Sequence, residues 1–175
     1  DGPPRLAADD WDVMVHIGEL RDSTLVAHPL APNRRLLCAA PAYLARRGAP
    51  AKPEDLRAHD CIALRENDED VTLWRFRQGR GAAVGVRIAP VLSSNAGETA
   101  VEWALAGHGI IVRSEWDVAA HLQARRLVPL LAGWTLPQAN VVALVKSRQE
   151  LAARTAGFLA HLRAAFATPP WRAQV

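Results

Sequence analysis

The chain has 175 residues, of which 50% are hydrophobic and 22% are charged, so it can bury a globular core. Two cysteines are too few for a disulfide scaffold, and no apolar run approaches the roughly 20 residues that a membrane helix needs. The net charge of +3 is small and the arginine pairs are scattered among acidic residues, which argues against a dedicated nucleic-acid-binding domain.

The first half of the chain predicts short strands separated by turns. Apolar or alternating runs predict strands at 12–17, 25–30, 35–40, 61–64, 73–76 and 84–88. The last two, joined by a loop rich in glycine, predict an antiparallel hairpin. Proline positions predict short helices over 41–47 and from Pro53, and the acidic segment 66–70 predicts a surface turn.

The second half alternates strands with helices. Strands are predicted at 91–93, 109–112, 127–131 and 140–145. Asn95 and Glu98 form a capping-box arrangement that predicts a helix over 96–106, and Ser114 is expected to cap the next helix. An apolar stripe that includes Phe158 predicts a final helix. This alternation indicates an α/β fold with mainly parallel or mixed sheets.

The sequence contains no residue pattern typical of catalysis or of a metal centre. Its six histidines are dispersed, and Cys38 and Cys61 have no histidine at ligand spacing beside them. We expect both cysteines to be buried and reduced, as is typical of a cytoplasmic protein. Nucleophile-elbow and nucleotide-binding glycine motifs are also lacking, so we expect no enzyme and no cofactor.

Three predicted helices begin directly after strands, at Ala40-Pro41, at Ser94-Asn95 and at Arg113-Ser114. Ligands of open α/β sheets bind beyond the carboxyl ends of strands, and the free N–H groups of helix starts attract anions. The three starts could converge on one pocket for a small molecule such as a carboxylate. Plain helix capping without a ligand explains the same residues equally well.

Short stretches along the chain share the order and spacing of the motifs of one family. They cover 12–18, 23–26, 30–44, 53–56, 59–61, 73–76, 92–95 with Glu98, 104–111 and 125–128. Together they resemble the effector-binding domain of LysR-type transcriptional regulators, from about residue 10 to about residue 165. Each motif alone is weak, and their combination is specific.

The resemblance implies two Rossmann-like lobes of the type II periplasmic-binding-protein kind, with mixed sheets and a cleft between the lobes. Lobe I is then discontinuous, formed by residues 1–40 and 135–175, and lobe II covers 41–134. Because the chain starts at Asp1 without a methionine, we expect an N-terminally truncated piece. Compared with the family, it lacks the helix-turn-helix, the linker helix and the first strand-helix-strand of lobe I.

The resemblance also implies a function: a ligand-sensing and oligomerisation domain of a bacterial transcription regulator. Such a protein is a cytoplasmic dimer or tetramer, contacts DNA only through its helix-turn-helix, has no membrane partner and binds a small effector between its lobes. Carried over by position, the candidate effector-binding residues are His16, Gly18, Ala39, Ala40, Ser94, Asn95, Arg113 and Ser114.

Two of these positions depart from the family pattern. The family commonly has arginine where this chain has His16, and often serine or threonine where it has Ala40. The missing hydroxyl at Ala40 removes one donor to an effector. His16 faces either the effector or the core, and a single histidine in an apolar strand favours the core.

Two other functions fit the same two-lobe scaffold. A periplasmic-type solute-binding protein would carry a secretion signal upstream of Asp1. An enzyme would need an acid, base or nucleophile converging in the cleft. Both stay open at the level of the sequence.

Overall fold

The computed structural model describes residues 11–18, 25–65, 71–146, 152–169 and 171–172. The strands are β1 (Met14–Ile17), β2 (Val26–Ala31), β3 (Arg35–Ala39), β4 (Cys61–Leu64), β5 (Leu73–Arg77), β6 (Ala83–Arg87), β7 (Pro90–Ser94), β8 (Ile110–Ser114), β9 (Val128–Pro129) and β10 (Val141–Val145). The helices are α1 (Pro41–Arg47), α2 (Gly97–Leu105), α3 (Glu115–Gln123) and α4 (Ala153–Ala165), with a 3-10 helix at Pro53–Ala58. The predicted turn at 66–70 lies outside the described residues.

The chain divides into two compact units. The larger one contains 35–137, and the smaller one contains the described residues before 35 and after 137. Strands alternate with helices in sequence, and the sheets are mixed, so the predicted α/β class is confirmed.

The larger unit is built on a five-stranded sheet in the order β7-β4-β8-β3-β9. Strand β4 runs parallel to both β7 and β8, whereas β3 runs antiparallel to β8 and to β9. The carboxyl ends of β4, β7 and β8 therefore share one edge of the sheet with the beginning of β3. This edge positions the candidate site.

Both faces of the five-stranded sheet are covered. Consecutive strand residues point to opposite faces, and Ile110 and Ile111 are both fully buried. Ile110 packs in one apolar cluster with Tyr43 and Phe76, and Ile111 packs in a second with Val118. Burial on both faces explains why the central strands are continuous apolar runs in the sequence.

Helix α2 begins differently from the prediction. Its N-cap is Ala96, and no side chain makes a capping hydrogen bond, so the predicted capping box of Asn95 and Glu98 is not formed. Instead the Ser94 hydroxyl accepts a hydrogen bond from the Ala96 N–H at 3.0 Å. The turn before the helix is thus closed by Ser94, because a serine hydroxyl reaches a backbone N–H two residues on.

The smaller unit contains three strands, in the order β1-β10-β2, among the residues that the structure describes. All pairs are antiparallel. Helix α4 packs on β2 and buries Thr155 and Leu159, whereas Phe158 is 48% exposed. The predicted burial of Phe158 with the apolar stripe is therefore wrong.

A buried asparagine ties together the two chain segments that enter and leave the smaller unit. Asn33 is fully buried, and its side-chain amide donates to the Ala139 carbonyl at 2.9 Å. Its backbone N–H donates to Oδ1 of Asn140 at 3.1 Å, and its carbonyl accepts from the Ala139 N–H. These bonds join residues more than 100 positions apart in sequence.

The units divide at 34/35 and at 137/138, a few residues from the lobe boundaries expected at 40/41 and 134/135. Strand β3 accounts for the first difference, because it pairs with β8 and β9 in the five-stranded sheet. Residues 135–137 belong to the larger unit, because Thr135 bridges Arg77 through two backbone hydrogen bonds.

Candidate functional site

Four of the predicted site residues lie at one edge of the five-stranded sheet: Ser94, Asn95, Arg113 and Ser114. Strands β4, β7 and β8 are parallel, so β7 and β8 end at the same edge, with the end of β4 between them. Two strand spacings separate Ser94 from Ser114, about 10 Å. The structure therefore brings the starts of α2 and α3 to the same edge of the sheet.

Ser94 and Asn95 form the turn from β7 into α2. Ser94 is half-buried and Asn95 is exposed. The Ser94 carbonyl accepts a hydrogen bond from the Arg65 N–H at 2.8 Å, which fixes the end of β7 beside the end of β4. The turn is fixed by this bond and by the bond from the Ala96 N–H to the Ser94 hydroxyl. The exposed Asn95 amide is therefore held at this edge of the sheet.

Arg113 is the buried charge of this edge. Its side chain is only 9% exposed and forms an ion pair with Asp117, in the first turn of α3. The guanidinium also lies against Gly97, the first residue of α2, where a Cβ atom would come within 2.9 Å of Cζ. A glycine at the start of α2 therefore makes the room that Arg113 occupies.

This edge carries groups that attract anions, beside the carboxylates of Glu98, Glu115 and Asp117 in the first turns of α2 and α3. The first N–H groups of α2 and α3 have no acceptor within their own helices, and helix starts carry partial positive charge. Arg113 lies between the two starts, Arg35 pairs with Ser114 across β3 and β8, and Arg65 follows β4. Oriented N–H groups and guanidinium groups together favour a carboxylate or a similar anion.

Ala39 and Ala40 lie at the opposite edge of the sheet. Strand β3 is antiparallel to β8, with Arg35 opposite Ser114 and Cys38 opposite Ile111. Ala40 is therefore about 16 Å along the strand from Ser114. Both alanines are buried, at 0% and 3% exposure, so the expectation that the α1 start converges with the other two is wrong.

His16 and Gly18 belong to the smaller unit. His16 is half-buried in β1, opposite Val142 of β10. Gly18 follows the strand with a φ of 110°, which favours glycine, and its N–H donates to the Asn140 carbonyl at 3.2 Å. Gly18 therefore ends β1 in a turn tied to β10.

Sequence reasoning missed three residues of the sheet edge: Gly97, Asp117 and Arg65. Arg65 directly follows a buried strand, so the rule that singled out Ser94 would also have found it. Nothing in the sequence shows that Gly97 and Asp117 contact Arg113, because those contacts depend on the pairing of β4 with β7 and β8.

The described residues contain no group of three or more histidine, cysteine or acidic side chains that could hold a metal ion. Cys38 and Cys61 are both free and buried. Burial raises the pKa of each thiol to about 12, which keeps the sulfur protonated and unreactive near neutral pH. No helix among the described residues is both long and apolar enough to span a membrane.

Comparison with known families gives one match that covers most of the chain. The family model described as LysR substrate binding domain matches residues 3–167. Among curated proteins, the HTH-type transcriptional regulator DmlR of Escherichia coli K12 is 36% identical over 93% of this chain and 52% of its own. The HTH-type transcriptional activator TtdR of the same strain is 36% identical over 81% of this chain and 45% of its own. The chain thus spans about half the length of these relatives.

Solved structures of LysR-type regulatory domains share the fold of this chain. The regulatory domain of CrgA, a LysR-type transcriptional regulator from Neisseria meningitidis, superposes with a TM-score of 0.76 at 28% identity. The match covers 95% of this chain and 80% of that one. The regulatory domain of AphB from Vibrio vulnificus gives a TM-score of 0.78 at 21% identity, over 94% and 80% of the two chains, and so supports the fold alone.

Proposed function

Because the chain belongs to the LysR substrate binding domain family, we propose that it is the effector-sensing part of a transcription regulator. The names of its relatives DmlR and TtdR describe helix-turn-helix transcriptional regulators. The chain spans about half of their length, and we place DNA binding in a helix-turn-helix part of the whole protein. We accordingly propose that the whole protein is a cytoplasmic homo-oligomer, a dimer or tetramer. This proposal replaces the alternatives of a solute-binding protein and of an enzyme.

One observation supports an effector site in this chain: the sheet edge at Ser94, Asn95, Arg113 and Ser114. It combines two helix starts with a buried arginine, which suits a small anion. In this proposal Arg113 pairs with the negative charge of the effector. The exposed Asn95 amide and the Ser114 hydroxyl form hydrogen bonds with the effector. His16 and Gly18, in the smaller unit, stay effector-binding predictions carried over by position from the family.

We propose that the effector signals by changing the populations of two conformational states of the regulator. An effector shifts an equilibrium only by its differential affinity for two states, and such couplings are typically about 1–3 kcal/mol. Arg113 joins the start of α2 to the start of α3, through Gly97 and Asp117. An anion that engages this arginine competes with Asp117 and so alters the contact between the two helices.

The proposal is tested by thermal unfolding of the chain with a panel of mono- and dicarboxylates, each beside its uncharged amide. We expect at least one carboxylate to raise the melting temperature while its amide does not. The double variant R113Q/D117N, which removes both members of the buried pair, should lose that response.

The variant R57Q is the control for the loss of an exposed arginine elsewhere, because Arg57 lies in the 3-10 helix before β4, which begins at the opposite edge of the sheet. It should keep the response of the unchanged chain. A carboxylate that stabilises R113Q/D117N as strongly as the unchanged chain would show that Arg113 does not bind the effector. A panel without any stabilising compound, on both the chain and the whole regulator, would count against the sensing function.

A further inference from the structure

The hairpin of β5 and β6 presents a row of arginines on one face. Its register places Arg75 opposite Gly85, Arg77 opposite Ala83 and Leu73 opposite Arg87. Directly opposed residues share a face, and alternate residues point to the other one. Trp74 and Phe76, on that other face, are 8% and 1% exposed, which turns the arginines to the solvent.

We define the arginine face as Arg75, Arg77, Arg80 and Arg87. All four are exposed, and Arg80 lies in the turn between the strands. From residue 71 to residue 97 the sequence has no aspartate or glutamate. Arg87 donates to the Thr72 hydroxyl at 2.8 Å. Among the described residues, no carboxylate forms an ion pair with Arg75, Arg77 or Arg80.

Two arginines of the arginine face are evenly spaced along one strand. Arg75 and Arg77 are two residues apart on one strand, about 7 Å, and the residues opposite them are a glycine and an alanine that leave the surface low. Thr135 bridges Arg77, and its hydroxyl donates to the Arg77 carbonyl at 3.1 Å, which fixes the end of β5. Exposed arginine side chains are the groups of this face that can contact nucleic-acid phosphates.

We propose that the arginine face binds the phosphate backbone of duplex DNA without reading its sequence. Duplex DNA carries one negative charge per about 1.7 Å of axis, so several phosphates fall within reach of arginines about 7 Å apart. Guanidinium groups bind phosphate oxygens in bidentate fashion. The relatives of this chain are named as helix-turn-helix regulators, so DNA is the polyanion beside which the domain works. This contact goes beyond effector sensing, because it adds a sequence-independent contact to the DNA binding that we place in a helix-turn-helix part. The choice of DNA as the polyanion rests on the proposed regulator function.

The experiment measures binding of the whole 175-residue chain to a fluorescently labelled duplex of unrelated sequence by anisotropy, over a series of salt concentrations and without small molecules. We expect measurable binding at low salt, at roughly 50 mM, that weakens steeply as salt rises. The variant R75Q/R77Q should weaken binding at least about tenfold at low salt and reduce the log–log salt slope by about two.

The matched control is R57Q/R126Q, which removes the same charge from two exposed positions outside the arginine face. It should weaken binding much less than R75Q/R77Q does, and circular dichroism should show both variants folded. Equal losses in the two variants, or no binding of the unchanged chain at low salt, would overturn the proposal. Tighter binding to poly-L-glutamate than to the duplex would overturn it in favour of an acidic protein partner.

Discussion

At the scale of single residues, Tyr43 and His59 form a part-buried polar contact. The Tyr43 hydroxyl accepts a hydrogen bond from the Asp60 N–H at 2.9 Å and lies 3.0 Å from Nδ1 of His59. A neutral imidazole can accept the hydroxyl proton at Nδ1, whereas a protonated imidazole can only donate to the hydroxyl oxygen. Burial, followed by the nearby positive charge of Arg47, lowers the pKa of His59.

This contact makes stability depend on pH. The unfolded chain binds the His59 proton more strongly than the folded chain does. The free energy of unfolding therefore rises with pH between the lowered pKa of the folded chain and the ordinary pKa of 6.5. The contribution is complete above the ordinary histidine pKa of 6.5 and is lost as the pH falls through the lower folded value. Urea unfolding between pH 7 and pH 5 should show this fall, and H59Q should reduce it.

The variant H108Q, at an exposed histidine, is the control for the loss of one imidazole from the chain. His121, whose pKa burial also lowers, accounts for the dependence that H59Q retains. An H59Q profile parallel to that of the unchanged chain would contradict the assignment of a neutral His59.

The hydrogen bond between His59 and Tyr43 was not predictable from sequence, because residues 43 and 59 meet only after β3 and β4 enter one sheet.

At the scale of elements, the sequence predicts where most strands and helices lie. Apolar runs bounded by proline or glycine place β3, β4 and the α1 helix within a residue or two of their observed limits. The direction of β3 was not predictable, because the sequence does not state which strand is its neighbour. That single antiparallel pairing moves Ala39 and Ala40 to the opposite edge from the candidate site.

Two glycines give a matched test of how the elements pack. A Cβ atom at Gly109, between α2 and β8, would be 2.5 Å from the Asp60 carbonyl oxygen, a backbone atom that pairing with β8 holds in place. A Cβ atom at Gly157, inside α4, would meet no atom within 4 Å. The first glycine is needed for a close backbone approach, and the second only weakens its helix.

G109A should therefore destabilise the protein by about 1–3 kcal/mol, and G157A should stabilise it by about 0.5–1 kcal/mol. Urea unfolding followed by circular dichroism measures both changes on the same footing. Destabilisation by G157A would mean that α4 packs more tightly at this position than the structure shows. An unchanged G109A would contradict the close approach of β8 to residue 60.

At the scale of the whole molecule, the family and the α/β class were predictable from the sequence, because many weak motifs occur in the family's order. Four of the eight predicted site residues lie together at the sheet edge, because Ser94, Asn95, Arg113 and Ser114 lie at or directly after the ends of β7 and β8. The arginine face was not, because the arginines are spread over 75–87 and only the hairpin register brings them to one surface.

We propose above that an anionic effector binds the sheet edge between the starts of α2 and α3. The most direct measurement is a two-dimensional amide NMR titration of the chain with the carboxylate that stabilises it most in the thermal panel. We expect the largest chemical-shift changes at residues 94–98 and 113–117 and little change at residues 39–43. Largest shifts at residues 39–43, with the sheet edge unchanged, would contradict it.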